Sequence, residues 1–228
     1  MENLMRKCFF FITLLVLSFH SIAIAGEKGL DIQGKKLVSQ KPAFTLDLPW
    51  DFQWIHSFSH ENPGENSQTR VSLYIKERNR QVEEMLIVQI ADRTNPQADF
   101  MTVPPLRPYS AKKMYLKDKI KKGEVEVEYL IQTMAWNPGA PSLQPIVKKG
   151  FTIPSRYALQ GQLLFSLQPE HAVLVRYSKD AGAFGSSVSN KEQRWNAEAI
   201  SGNEKKAYEA FRKTFLEIIH SIIIRPFH

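Results

Sequence analysis

Cysteine is almost missing from this chain. The single one, Cys8, lies in the opening stretch "MENLMRKCFFFITLLVLSFHSIAIAG". Arg6 and Lys7 precede an apolar run there, and Ala23-Ile24-Ala25 before Gly26 has the small-x-small spacing of a signal-peptidase site. These features predict an exported protein with residues 1–25 as a cleaved signal peptide. An uncleaved anchor is the alternative, because the run from Cys8 to Ala25 is 18 residues long, the lower edge of a membrane span. Cys8 stands at the start of that run and not at the cleavage point, so nothing points to a lipoprotein. Cleavage leaves 203 residues without a thiol. Such a chain has no disulfides, no thiol nucleophile and no Cys-ligated metal, and must be stabilised by its apolar core.

Other signatures are lacking too. No later run approaches the length of a membrane span, which predicts a soluble mature protein in the periplasm or secreted. His56 and His60 have HxxxH spacing, but that pairs two imidazoles on one metal only in a helix. In the strand-like surroundings here, residues four apart lie about 13 Å from each other. No metal and no cofactor is expected. The run "AGAFGSSVS" holds Gly182, Gly185, Ser186 and Ser187 without forming G-x-S-x-G, and it reads as a surface connection. Catalytic residues are therefore expected to be none, and the protein is read as a non-enzyme.

Positive charge is in excess. The precursor's net charge is +7, and removing residues 1–25 takes away Arg6, Lys7 and Glu2, leaving +6. That balance favours anionic surfaces such as phospholipid head groups, polysaccharide or acidic proteins, while export makes nucleic acid an unsuitable partner. The charge is concentrated at Lys112, Lys113, Lys117, Lys119, Lys121 and Lys122, with Lys148 and Lys149 as a second dibasic turn. These eight lysines are candidate contacts for an anionic surface. The competing reading has them shielding a strand edge and pairing with Glu124, Glu126 and Glu128 across a hairpin.

What the chain has in abundance is period-two alternation. In "FTLDLPWDFQWIHSFSH", Phe44, Leu46, Leu48, Trp50, Phe52, Trp54, His56, Phe58 and His60 occupy every even position. Even positions of a strand share one face, so the row predicts a half-buried sheet. A pocket with Trp50 or Trp54 on its wall is the alternative, and Trp136 is a third candidate contact. Seventeen residues would span roughly 55 Å as one strand, so the stretch must bend or divide, and Pro49 is the natural break. Further strands are expected at 70–78, 84–92, 161–168 and 172–178, with a hairpin turning near Lys122-Gly123; 163–167 could equally be helical. Residues 84–92 are apolar enough for a strand covered on both faces.

The final element is an amphipathic helix. Ser201 to Glu204 fits a capping box, and Tyr208, Phe211, Phe215, Ile218, Ile219 and Ile222 recur at helical steps. "SIIIRP" then reads as a short strand or the helix's last turn. The organisation expected is an extended lead-in over 26–42, with room for a short strand at Lys36–Ser39, and a single α+β domain over 43–228. That domain is mainly antiparallel sheet with the C-terminal helix packed on it, an α/β/α sandwich being possible.

Two stretches carry a family resemblance. "FTLDLPWDFQW", a strand running into Leu-Pro and Trp, resembles the start of the Mog1/PsbP-like domains and the exported DcrB-type proteins of that fold. "AYEAFRKTFLEIIHSIII" is similar to their C-terminal helix and following strand. The matches cover about 17 and 18 residues, and the long middle departs from the pattern, so no functional residue is transferred. The resemblance implies an antiparallel sheet with helices on its faces and a binding or assembly role. Two function classes follow from the sequence: an exported, non-enzymatic domain that contacts an envelope protein or an anionic surface, or a carrier of small hydrophobic ligands with an aromatic pocket. A hydrolase with dispersed residues is the weakest alternative.

Overall fold

The computed structural model describes residues 30–62, 66–95, 97, 104–109, 114–155, 157–167, 170–184, 200, 202–225. The expected signal segment, Lys112, Lys113, Trp195 and the run from Gly185 to Ser189 lie outside the described residues. The strands are Leu30–Gln33 (β1), Lys36–Gln40 (β2), Ala43–Asp47 (β3), Gln53–Asn62 (β4), Ser67–Arg78 (β5), Gln81–Arg93 (β6), Met114–Lys122 (β7), Val125–Ala135 (β8), Tyr157–Leu167 (β9), His171–Asp180 (β10) and Ile223–Ile224 (β11). The helices are Gln144–Lys148 (α1) and Gly202–Ser221 (α2).

Among the described residues eleven strands form two antiparallel sheets. Seven make a meandering sheet in the order β4-β5-β6-β10-β9-β8-β7, and four make a small sheet in the order β1-β2-β3-β11. The chain is thus mostly antiparallel sheet with one long C-terminal helix, an α+β architecture. β6 is interior, as its unbroken apolar run requires. The segment over 157–167 is strand throughout, which resolves the helix-or-strand ambiguity there. Tight turns use the left-handed region where the hairpins demand it: Gly123 closes β7–β8 at φ 62°, and Asn79 and Arg80 close β5–β6 at 52° and 62°. In the lead-in, β2 covers the short strand expected at Lys36–Ser39, while β1 was not expected; β1 and β2 pair with each other and β2 pairs with β3.

One face of the large sheet is clothed over its central strands. Helix α2 places Tyr208, Phe211, Phe215, Ile218 and Ile219 against Val173, Val175, Tyr177 and Leu163, and the small sheet adds Leu37, Phe44 and Leu46. Phe44 meets Phe165 edge-on at 5.4 Å, and Phe211 stacks on Tyr177 at 5.4 Å. Gly161 lets the helix come this close: a Cβ there would lie 2.5 Å from the Phe215 ring. β11 returns from α2 to pair with β3, so the helix end and the small sheet are tied together.

The aromatic row divides where Pro49 interrupts it, β3 ending at Asp47 and β4 beginning at Gln53. Phe44, Leu46, Leu48 and Phe52 are buried in the clothed face. A register shift between Trp54 and His56 then inserts Ile55 as an extra residue. Every later even position moves to the opposite face, so the row does not stay on one side. His56, Phe58 and His60 pair with Leu73, Val71 and Thr69 on that second face, with ring centroids 6.1 and 6.4 Å apart along the ladder.

The second face is covered in pieces. At one end Ile55, Leu73, Ile75 and Met85 pack beneath Trp136, Leu143, Ile146 and Ile153. On this side the described residues form the five-residue α1 and the short 3-10 turn Pro141–Leu143 before it, and among them there is no second full helical layer. At the other end, residues 104–109 cross the sheet.

Candidate binding face

The tryptophans and lysines singled out by sequence are spread over three regions. Trp50 is 42% exposed, with the Lys76 ammonium 3.8 Å from its ring centre and Lys35 at 5.9 Å. Trp54 is partly buried against the clothed face, donates its indole N–H to Ser57 Oγ at 3.1 Å, and has Lys149 Nζ 4.8 Å from its ring. Trp136, the third candidate contact, is 3% exposed and buried in one cluster with Leu143, Ile146 and Ile153. The structure does not bring these three indoles together, and none of them lines the three cavities described below.

The lysine hairpin is the sheet's edge, since β7 ends the strand order. Lys119 pairs with Glu126 at 2.6 Å, and Lys117 pairs with Glu128 at 2.7 Å while also donating to the Leu106 carbonyl at 2.6 Å. Lys122 donates to the His220 carbonyl at the end of α2, where a cation complements the exposed carbonyls of a helix terminus. Lys121, Lys148 and Lys149 are exposed. Several of the expected surface cations are thus engaged within the fold, as cross-strand pairing requires.

Sequence reasoning passed over the second face, and the structure builds a polar centre there. Alternate positions of β8, β9 and β10 point Gln132, Gln160, Gln162 and Ser178 to the same side. Gln160 Oε1 accepts from the side-chain amides of Gln132 at 3.2 Å and Gln162 at 2.7 Å, and the Gln160 amide donates to Ser178 Oγ at 3.1 Å. These side chains are buried. Next to them, Arg176 donates from Nη1 to Gln89 Oε1 at 2.6 Å. Its Nε is buried without a hydrogen-bond partner, and among the described residues no carboxylate forms an ion pair with it. Burial pulls the guanidinium below its ordinary pKa, and the nearby Tyr109 phenol opposes this. An arginine nevertheless stays protonated in such settings.

Residues 104–109 are strapped over this centre by its own side chains. Leu106 N–H donates to Glu128 Oε2 at 3.0 Å, and Tyr109 N–H donates to Gln132 Oε1 at 2.9 Å. Proline at 104, 105 and 108 removes backbone donors that a crossing segment could not satisfy on a sheet face. Beneath the strap lies a recess of about 420 Å³. Its polar wall is His60, Asn62, Gln89, Gln162, Arg107 and Arg176, and its apolar wall is Ala91, Leu164, Ala172, Leu174 and the two prolines. The volume falls within the usual range of small-ligand sites, roughly 300–1,000 Å³. A second recess of about 840 Å³ continues past Pro105 to Lys119, Glu126 and the end of β9. The signal available in sequence was Arg176 itself, a charge inside the apolar run "AVLVRY".

A third cluster lies at the far end of β6. Asp92 accepts from Arg70 Nε at 2.7 Å and lies 2.7 Å from His171 Nδ1, while Arg70 Nη2 donates to the Lys41 carbonyl at 2.8 Å. Burial by itself would raise the Asp92 pKa. The hydrogen bonds and charges of His171 and Arg70 outweigh it and hold the carboxyl below the ordinary value. The cluster fastens the β2–β3 turn to three strands of the large sheet, and it borders a cavity of about 430 Å³.

No family model, curated protein or solved structure matches this chain.

Proposed function

We propose that this protein is an exported, non-enzymatic binding domain of the bacterial envelope that receives its partner on the second face of the seven-stranded sheet. The observation that carries the reading is the strapped recess: buried glutamines and a half-buried arginine beneath residues 104–109, where a sheet face with no binding role is expected to be apolar. A recess with a few fixed polar groups in an otherwise apolar lining is the general form of a binding site. The Mog1/PsbP-like resemblance supports a binding or assembly role, and the amino-terminal residues support export.

A second reading has a specific observation in its favour. Lys121, Lys148 and Lys149 are exposed, and a net positive chain can dock on anionic lipid or polysaccharide through them. The two readings separate in one titration series. The full chain is titrated with neutral saccharides, small carboxylates, phosphate esters and anionic vesicles, alongside Ala172→Trp, which fills the recess. Saturable binding that Ala172→Trp abolishes is the expected result. Binding that survives Ala172→Trp but disappears when Lys121, Lys148 and Lys149 are changed to Glu moves the contact to the lysine surface. Silence across the whole panel retires the recess.

A further inference from the structure

The recess wall contributes two arginines and a histidine, Arg176, Arg107 and His60, and no carboxylate. Arg176 has Nη1 engaged by Gln89, while Nε on the side edge of the fork is buried and unmatched. The unmatched donor leaves the guanidinium short of acceptors, and carboxylate and phosphate are the groups such a fork takes up best. A buried cation without a counter-charge is costly, and the neutral carbonyl of Gln89 offsets only part of that cost. The Asn62 amide nitrogen is fixed by Thr69 Oγ1 at 3.0 Å and Ser67 Oγ at 3.3 Å, so its position on the wall is set. The rest of the lining includes aliphatic side chains: Ala91, Leu164, Ala172 and Leu174 from the sheet and Leu106 from the strap.

Resting on the reading that the recess is the binding site, we propose that its ligand is a small organic anion, a carboxylate or phosphate head carried on an apolar body, with the head on Arg176 and the body along the aliphatic wall. The head supplies the charge the guanidinium lacks, and the body displaces water from Leu164 and Leu174. Orientation follows from the register: Arg176 pairs with Gln162 on one row of the recess floor, Leu174 with Leu164 on the next, and Ala172 with Ala91 beyond them.

The test uses four probes on the full chain: octanoate, octyl phosphate, 1-octanol and phosphatidylglycerol vesicles. Octanoate and octyl phosphate are expected to bind saturably, and 1-octanol about tenfold to a hundredfold more weakly, the usual worth of a hydrogen bond to a charged group. Gln89→Glu is the decisive variant. It places a carboxylate on Nη1 without changing side-chain shape, so it should raise the melting temperature by about 2–4 °C and weaken octanoate at least tenfold. Arg176→Gln should weaken octanoate equally, and the Gln89→Glu result stands even where Arg176→Gln folds poorly. Vesicle binding that Gln89→Glu abolishes identifies a lipid head group as the source of the anion. Vesicle binding that it spares, with octanoate lost, identifies a free anion. Equal binding of octanol and octanoate, both lost in Ala172→Trp, overturns the anion and leaves the recess standing. Failure of every probe in a manner indifferent to Ala172→Trp overturns both.

Discussion

The two faces of the seven-stranded sheet are built on opposite principles. On one, Phe215 lies so close over Gly161 that no methyl group fits between them, and aromatic rings stack from Phe215 through Phe211 to Tyr177. On the other, the centre of the same three strands is glutamine, serine and arginine, held by one another and strapped by a proline segment. The first face is organised mainly by volume, with the Tyr177–Glu84 hydrogen bond as its buried polar exception, and the strapped end of the second mainly by hydrogen-bond satisfaction. A face whose function is to close the core should lose stability in proportion to volume removed. A face that keeps polar groups in place should lose it when a partner atom is removed, and should gain from a well-placed charge.

The largest effect is therefore expected from Phe215→Ala, about 3–5 kcal/mol of unfolding free energy, the usual cost of emptying an aromatic site in a core. Chemical denaturation measures it directly, and a loss below 1 kcal/mol would show that α2 does not close this face. Gln160→Leu changes little volume but leaves the Gln132 and Gln162 amides without their shared acceptor. It should cost about 1–3 kcal/mol, where a volume-governed face would register almost nothing.

How much of this was legible beforehand differs between the faces for a physical reason. The clothed face is made of repeating apolar residues at strand and helix spacing, so α2, β3 and the interior strand β6 could be read from periodicity. The break at Pro49 followed from strand length alone. The bulge at Ile55 could not be read, because one inserted residue leaves the alternation in the sequence intact while turning His56, Phe58 and His60 to the other side. Trp136 looked like a contact because it follows a strand into a proline loop, yet that loop folds back and buries it. The recess draws on β4, β5, β6, β9, β10 and residues 104–107. The strands contribute one to three ordinary residues each and the strap four, so no local motif exists, and only the sheet register assembles it.

The Asp92 cluster sharpens the contrast through pH. Its carboxyl titrates below the ordinary value in the folded state, so the unfolded chain takes up the proton first as acid is added. The stability it contributes is present above the usual carboxylate range and is lost as pH falls through the folded value. Asp92→Asn should lower stability at pH 7 and flatten the decline between about pH 5 and pH 3. An unchanged acid limb in thermal melts would remove the cluster from the account. Smallest of all, Lys119→Ala breaks an exposed pair with Glu126, and its melting temperature should be indistinguishable from the parent's, as for most surface ion pairs.

The central claim is that one face is sealed and the other holds a recess open to solvent, and neighbouring residues of β6 test it within a single strand. In a chain whose sole thiol, Cys8, is changed to Ser, Ala91→Cys puts a thiol on the recess wall and Ile90→Cys puts one in the buried core of the clothed face. Under native conditions the account predicts that a maleimide labels Ala91→Cys, that octanoate slows this labelling, and that Ile90→Cys reacts only on unfolding. Equal protection of the two thiols would contradict it.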